Sequence, residues 1–215
     1  MVTCIIKDNG EPKVIELTYE NLWKELKHIP GAEVIVAKDW VGALDKVNNK
    51  FVCFVEADCL VSSGYFDSLT GYLVKRAQEL NKLAVLSTAT AVNNWAVRFY
   101  GYNLTNEYSG GVVPNKHKKD TSSPLYTMQI AYVPGALIRV SFLKKVLEEI
   151  TPKDNWTDDL VYFSTELSLG CWRKNWQVYL APNSTYVTTE DYVNDIAELE
   201  IEDKELQAKF LRESI

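Results

Sequence analysis

Histidine is scarce in this 215-residue chain, with His28 and His117 the only two, and the four cysteines (Cys4, Cys53, Cys59, Cys171) fall in separate segments without a C-x-x-C pair. A structural zinc site therefore has no ligand spacing in its favour, and the cysteines read as reduced, mostly buried small hydrophobes. Long apolar runs are also missing. A membrane-spanning helix needs about 20 consecutive apolar residues, and runs such as Phe51 to Val55 or Ala131 to Leu137 are far shorter. Met1 leads directly into the strand-like Val2-Thr3-Cys4-Ile5-Ile6, without the basic region and longer apolar stretch of a signal peptide. The expectation is a soluble, cytoplasmic protein, in which the sequons at Asn103, Asn155 and Asn183 mean little. Nor is there an excess of positive charge. Lys and Arg total 23 against 29 Asp and Glu, a net charge of −6, which argues against a strongly basic nucleic-acid-binding surface but permits a local basic patch.

What is present is enough apolar content, 47% of residues with 12% aromatic, to bury one sizeable core. Val2 to Ile6 predicts a strand closed by the turn cluster Lys7-Asp8-Asn9-Gly10. Tyr19 to His28 has helical spacing, with Thr18 as a candidate N-cap and Pro30-Gly31 as the stop. Glu33 to Ala37 predicts a second strand and Ala43 to Val47 a short helix. Phe51 to Val55, continuously apolar, predicts a strand buried on both faces and running into Glu56-Ala57-Asp58. A long helix from Tyr65 to Leu80 and an apolar run from Leu83 to Leu86 follow. This alternation implies a mostly parallel sheet between helices, with ligands outside the carboxyl ends of its strands. Asp8, Asp39, Glu56 and Asp58 would all emerge there.

Residues 93–126 break the alternation with aromatics, Gly110-Gly111 and the basic Lys116-His117-Lys118-Lys119, a long loop of the kind that is usually functional. Strand-like residues from Met128 to Val140 surround Pro134-Gly135, Ser141 to Ile150 predicts a helix with a Ser N-cap, Leu160 to Leu169 another, and Val178 to Leu180 a last short strand. The boundaries drawn are one domain over 1–190 and a charged helical tail over 191–215, docked on the core or mediating a homodimer.

Two acidic pairs carry the chemistry. Glu56 and Asp58, at i and i+2 just past a buried strand, are hard oxygen donors suited to Mg²⁺ or Mn²⁺ carrying substrate phosphates. Acidic residues also end strands simply to face water. Asp158-Asp159, about a hundred residues later, opens a helix, where an acidic pair serves equally as a cap and dipole partner.

The order of these features, with Val133-Pro134-Gly135-Ala136-Leu137-Ile138-Arg139 between the two pairs, resembles the family 2 glycosyltransferases, inverting enzymes with a GT-A fold. The resemblance spans about residue 2 to 189. It implies an α/β architecture with a Rossmann-like mixed sheet flanked by helices, and transfer of one sugar from a nucleoside-diphosphate-sugar, UDP-linked for example, to an acceptor hydroxyl. Phe51 to Phe66 looks like the strand bearing the DXD motif, in the variant Glu56-Ala57-Asp58. Gly135-Ala136 looks like the acceptor-side glycine segment, and Thr157-Asp158-Asp159-Leu160 like the TED motif, followed by a helix and a G-W-x-V-like strand. Carried over by position, Asp58 and Glu56 would hold Mn²⁺ or Mg²⁺ and Asp159 would be the general base. Asp8, Asp39, Gly135, Ala136, Asp158 and Arg173 would lie around the donor.

The sequence departs from the family pattern in three places, the first being the second strand, which reads Ala37-Lys38-Asp39 instead of the usual paired aspartates. Tyr186-Val187-Thr188-Thr189-Glu190 lacks the histidine that many relatives use as a metal ligand, and the QxxRW motif of processive synthases is absent. The acceptor stays open between a small molecule or glycan and a modified nucleic-acid base, the latter motivated by the lysines of the 93–126 loop. A non-catalytic GT-A-like binding module is the alternative.

Overall fold

The computed structural model describes residues 1–75, 82–92, 97–99, 102–104, 112–114, 126–128, 131–149 and 160–188. Strand β1 (Val2–Lys7) leads through the Asp8–Gly10 turn into helix α1 (Pro12–Leu26), then β2 (Glu33–Ala37), a 3₁₀ turn at Leu44–Lys46, and β3 (Phe51–Val55). The short β4 (Leu60–Val61), helix α2 (Tyr65–Lys75) and the long β5 (Leu83–Val92) follow. Within the aromatic segment lie β6 (Val97–Phe99), β7 (Tyr102–Leu104) and β8 (Val112–Pro114). The chain continues with β9 (Tyr126–Met128), β10 (Leu137–Arg139), α3 (Val140–Leu147), α4 (Leu160–Arg173) and β11 (Gln177–Thr188).

Several boundaries differ from those read off the sequence. Helix α1 starts at Pro12, whose missing N–H suits a first helical position. Thr18 is therefore inside the helix, and its hydroxyl donates instead to the Ala57 and Cys59 carbonyls. Helix α3 begins at Val140 with Arg139 before it, so Ser141 is not its N-cap. Strand β11 runs straight through Pro182: its pairing with β5 shifts register between Ala181 and Thr185, as required when a residue without an N–H interrupts a ladder.

The main sheet has the order β2-β1-β3-β10-β5-β11-β4. β1, β2, β3, β5 and β11 are parallel to one another, whereas β10 lies antiparallel between β3 and β5, and β4 lies antiparallel on β11. The sheet is mixed, as the resemblance implied. β3 is buried along its whole length, with α1 and α4 contributing Leu22, Leu26, Phe163 and Leu167 to the same core. Gly170 lets α4 approach α3 closely, since a Cβ there would lie 2.7 Å from Val146 Cγ1. Among the described residues no helix is long and apolar enough to cross a membrane.

All four cysteines are free and buried. Burial pushes the Cys4 and Cys171 thiols well above the usual thiol value and the Tyr65 phenol well above the usual phenol value. The folded chain thus keeps protons that the unfolded chain releases above roughly pH 9. Their stabilising contribution is complete below that pH and falls as pH rises. Melting temperature is expected to decline progressively from pH 8.5 to 10.5, and a flat profile would contradict the burial of these groups.

Candidate functional site at the carboxyl edge of the sheet

The parallel strands end along one edge, where the backbone runs out of ladder partners and side chains take over. Asp8 and Asp39 follow adjacent strands there, and the Asp8 N–H donates to the Ala37 carbonyl at 2.8 Å. Each carboxylate folds its own turn. Asp8 Oδ1 accepts the Gly10 N–H at 2.8 Å, and Asp39 accepts the Val41 and Gly42 N–H groups at 3.3 and 2.6 Å. These are Asx turns, so both residues fix loop shape as well as presenting charge. The Lys7 ammonium lies 5.8 Å from the Trp40 ring centroid. Trp40 is fully buried on Phe54, with centroids 5.1 Å apart, and near Phe163 of α4. Among the described residues its indole N–H has no hydrogen-bond partner.

The acidic triplet follows β3 at the same edge, in a loop held from two sides. Helix α1 presents Thr18, Asn21 and Glu25 on one face. Asn21 accepts the Val61 N–H at 2.8 Å and donates to its carbonyl at 3.4 Å, and Glu25 accepts the Gly64 N–H at 2.7 Å. From the other side, the Tyr186 hydroxyl of β11 accepts the Glu56 N–H at 3.1 Å. Glu56, Ala57 and Cys59 are only 8%, 4% and 0% exposed, whereas Asp58 is half-buried. The loop therefore turns one carboxylate inward and leaves the other half-buried.

Gly135 and Ala136 reach this edge because β10 is antiparallel and starts where β3 ends. The Gly135 N–H donates to the Phe54 carbonyl at 2.8 Å, and Tyr65 donates to the Gly135 carbonyl at 2.6 Å. Asp8, Asp39, Glu56, Asp58, Gly135 and Ala136 thus share one edge. Arg173 does not join them: it ends α4 just before β11 begins opposite Leu83, at the other end of the strands, and lies 3.9 Å from Glu166. Asp158, Asp159, Lys116 to Lys119 and the 191–215 tail lie outside the described residues. His28 is at the surface, 2.8 Å from Asp67.

The sequence assigned no site role to Thr18, which it offered only as an N-cap, or to Asn21, Tyr132 and Tyr186. Nothing in local spacing could find them, since Tyr186 meets Glu56 across 130 positions of chain.

For a divalent cation, the donor chemistry fits in part. Mg²⁺ and Mn²⁺ are commonly held by one or two carboxylates with substrate phosphates and water completing the shell, and Asp58 supplies such an oxygen donor. Among the described residues no cluster of three His, Cys, Asp or Glu could hold a metal alone.

No protein-family model matches the sequence, and no curated protein matches it. Solved structures do resemble the fold. Residues 1–349 of S. aureus TarS match with a TM-score of 0.51 at 14% identity, over 99% of this chain and 71% of that one. The same fragment in complex with UDP gives 0.50 at 14% identity, over 98% and 70%. GalNAc-T7 with UDP, GalNAc and Mn²⁺ gives 0.52 at 11% identity, over 86% of this chain but only 43% of that one. At such identities the likeness defines the architecture: the chain has the GT-A fold of nucleotide-sugar glycosyltransferases.

Proposed function

We propose that the chain is an inverting glycosyltransferase that moves one sugar from a nucleoside-diphosphate-sugar to an acceptor hydroxyl with the help of Mn²⁺ or Mg²⁺. The observation that carries this reading is the half-buried Asp58, held at the carboxyl edge of a GT-A sheet beside the Asp8 and Asp39 turns and Gly135-Ala136. The UDP complexes of TarS and GalNAc-T7 support a nucleotide donor.

In this reading the Asp8 and Asp39 turns flank the nucleoside, and Asp58 faces the diphosphate. A bound cation would neutralise charge developing on the departing diphosphate. The bond between the anomeric carbon and the diphosphate oxygen breaks with its electrons going to the leaving group. The acceptor oxygen bonds the anomeric carbon from the opposite face, inverting it, and its proton passes to Asp159. Residues 1–190 would form the catalytic unit, the 93–126 segment would meet the acceptor, and 191–215 would dock on the core or a second copy.

The test is thermal stability against UDP, GDP, CDP and TDP sugars with and without Mn²⁺. A ligand at about 100 times its dissociation constant stabilises by roughly 2.7 kcal/mol, or about 5 to 10 °C for a domain of this size. A Mn²⁺-dependent shift with one nucleotide is the expected outcome. No shift with any of them, together with no hydrolysis of the sugars, favours the non-catalytic module, a reading that the inward-facing Glu56 motivates.

A further inference from the structure

The acidic triplet is tied to two tyrosines from distant parts of the chain, and all the ties converge on one atom. Glu56 Oε2 lies 3.2 Å from the Tyr186 hydroxyl, 3.3 Å from the Tyr132 hydroxyl and 3.5 Å from Cys59 Sγ. A carboxylate oxygen has about two lone pairs, and the two phenols match them, while the single Cys59 S–H lies between Glu56 Oε2 and Asp58 Oδ1, the latter 3.7 Å away. All four residues are buried. Tyr186 also accepts the Glu56 N–H, closing a two-point contact on a single residue.

Tyr132 is itself fixed. The N–H groups on either side of it, of Ala131 and Val133, donate at 3.2 and 3.1 Å to the hydroxyls of Ser168 and Ser164 on α4, and Ser87 of β5 donates to its carbonyl at 3.1 Å. The ring centroids of Tyr132 and Tyr186 are 6.5 Å apart. Helix α4, β5 and β11 thus bear on Glu56 through two phenols, while α1 holds the carbonyls on either side of Asp58 through Thr18. Asp58 is the one residue between positions 56 and 59 that is not buried.

We propose that Glu56 is a buried acceptor rather than a ligand of the donor or its cation, and that Tyr132 and Tyr186 are positioning residues that act through it to set Asp58 toward the diphosphate. This inference rests on the role of Asp58 proposed above. An aspartate at position 56 would be one methylene shorter, and glutamate supplies the reach to meet two phenols in the core.

The test is calorimetric affinity for UDP, GDP, CDP and TDP, each with Mn²⁺, in wild type, Tyr186→Phe, Tyr132→Phe, Glu56→Gln and Glu56→Gln/Tyr186→Phe. Tyr132→Phe leaves the Glu56 N–H satisfied and so keeps the test open if Tyr186→Phe folds poorly. With the nucleotide that wild type binds, each tyrosine variant should lose about tenfold in affinity, the usual size of an outer-shell effect, and the double variant should be no weaker than the weaker single one. A purely structural role would lower the melting temperature but leave affinity unchanged in folded protein at low temperature. A ligand role for Glu56 would weaken Glu56→Gln alone, with both tyrosine variants at wild-type affinity. Either result overturns the inference while the donor-site reading stands. Wild type that binds none of the four nucleotides overturns both.

Discussion

Asp58→Asn is expected to lower sugar transfer by more than about a hundredfold, the scale on which a charge-stabilising group at a reacting centre is felt. The substitution keeps the shape of the side chain and removes only its charge and one acceptor oxygen. The loop itself should persist, because its anchors are the Ala57 and Cys59 carbonyls, the Val61 and Gly64 amides and the Glu56 N–H. The expected pattern is therefore lost turnover and lost Mn²⁺-dependent donor stabilisation, with melting within a few degrees of wild type. Asp159→Asn should remove turnover as well while leaving donor binding intact, which separates a base from a diphosphate-side residue. Wild-type turnover in both variants would end the assignment, and steady-state rates alongside melting curves provide the check.

Gly135→Ala is expected to produce the largest loss of stability. Gly135 has φ +79°, in the left-handed region where a side chain costs about 1–3 kcal/mol. Its missing Cβ also matters independently. A methyl there would lie 2.6 Å from the Tyr186 ring and 2.8 Å from the Tyr65 hydroxyl, both of them fully buried side chains that cannot swing away. Overpacking of that kind adds about another 1–3 kcal/mol. A fall of at least about 2 kcal/mol corresponds to roughly 4 to 8 °C for a domain of this size. Denaturant melts of the variant provide the measurement, and a loss under about 1 kcal/mol would mean that the Gly135 turn relaxes freely. Because the displaced ring belongs to Tyr186, residual folded protein should also bind donor more weakly.

Gly135 shows why the edge was legible only in outline. As Pro134-Gly135 it is visible in the sequence as a break between strand-like runs, but what requires glycine is Tyr186, which arrives from a strand 51 positions further on. The same holds for Thr18. Its place at the head of an apolar-periodic run predicts an N-cap, yet the helix starts at Pro12 and Thr18 spends its hydroxyl on the Ala57 and Cys59 carbonyls. Arg173 lies far from Asp8, Asp39, Glu56 and Asp58, since a helix antiparallel to its following strand carries its last residue to the opposite end of the sheet.

The sequence by itself determined the parallel start through β1, β2 and β3, the full burial of Phe51 to Val55 and the convergence of Asp8, Asp39, Glu56 and Asp58 on one edge, though the helix expected at Ala43 to Val47 is a single 3₁₀ turn. Those features follow from local periodicity, strand-end acids and the handedness of crossovers, which act over a few residues or one supersecondary unit. The tertiary structure decided that β10 inserts antiparallel between β3 and β5, that β11 continues past Pro182, and that Glu56 turns inward to two tyrosines while Asp58 stays half-buried. Strand order and the direction of a side chain at a loop depend on hydrogen bonds closed between segments far apart in the chain, and no local pattern encodes which distant donor will arrive.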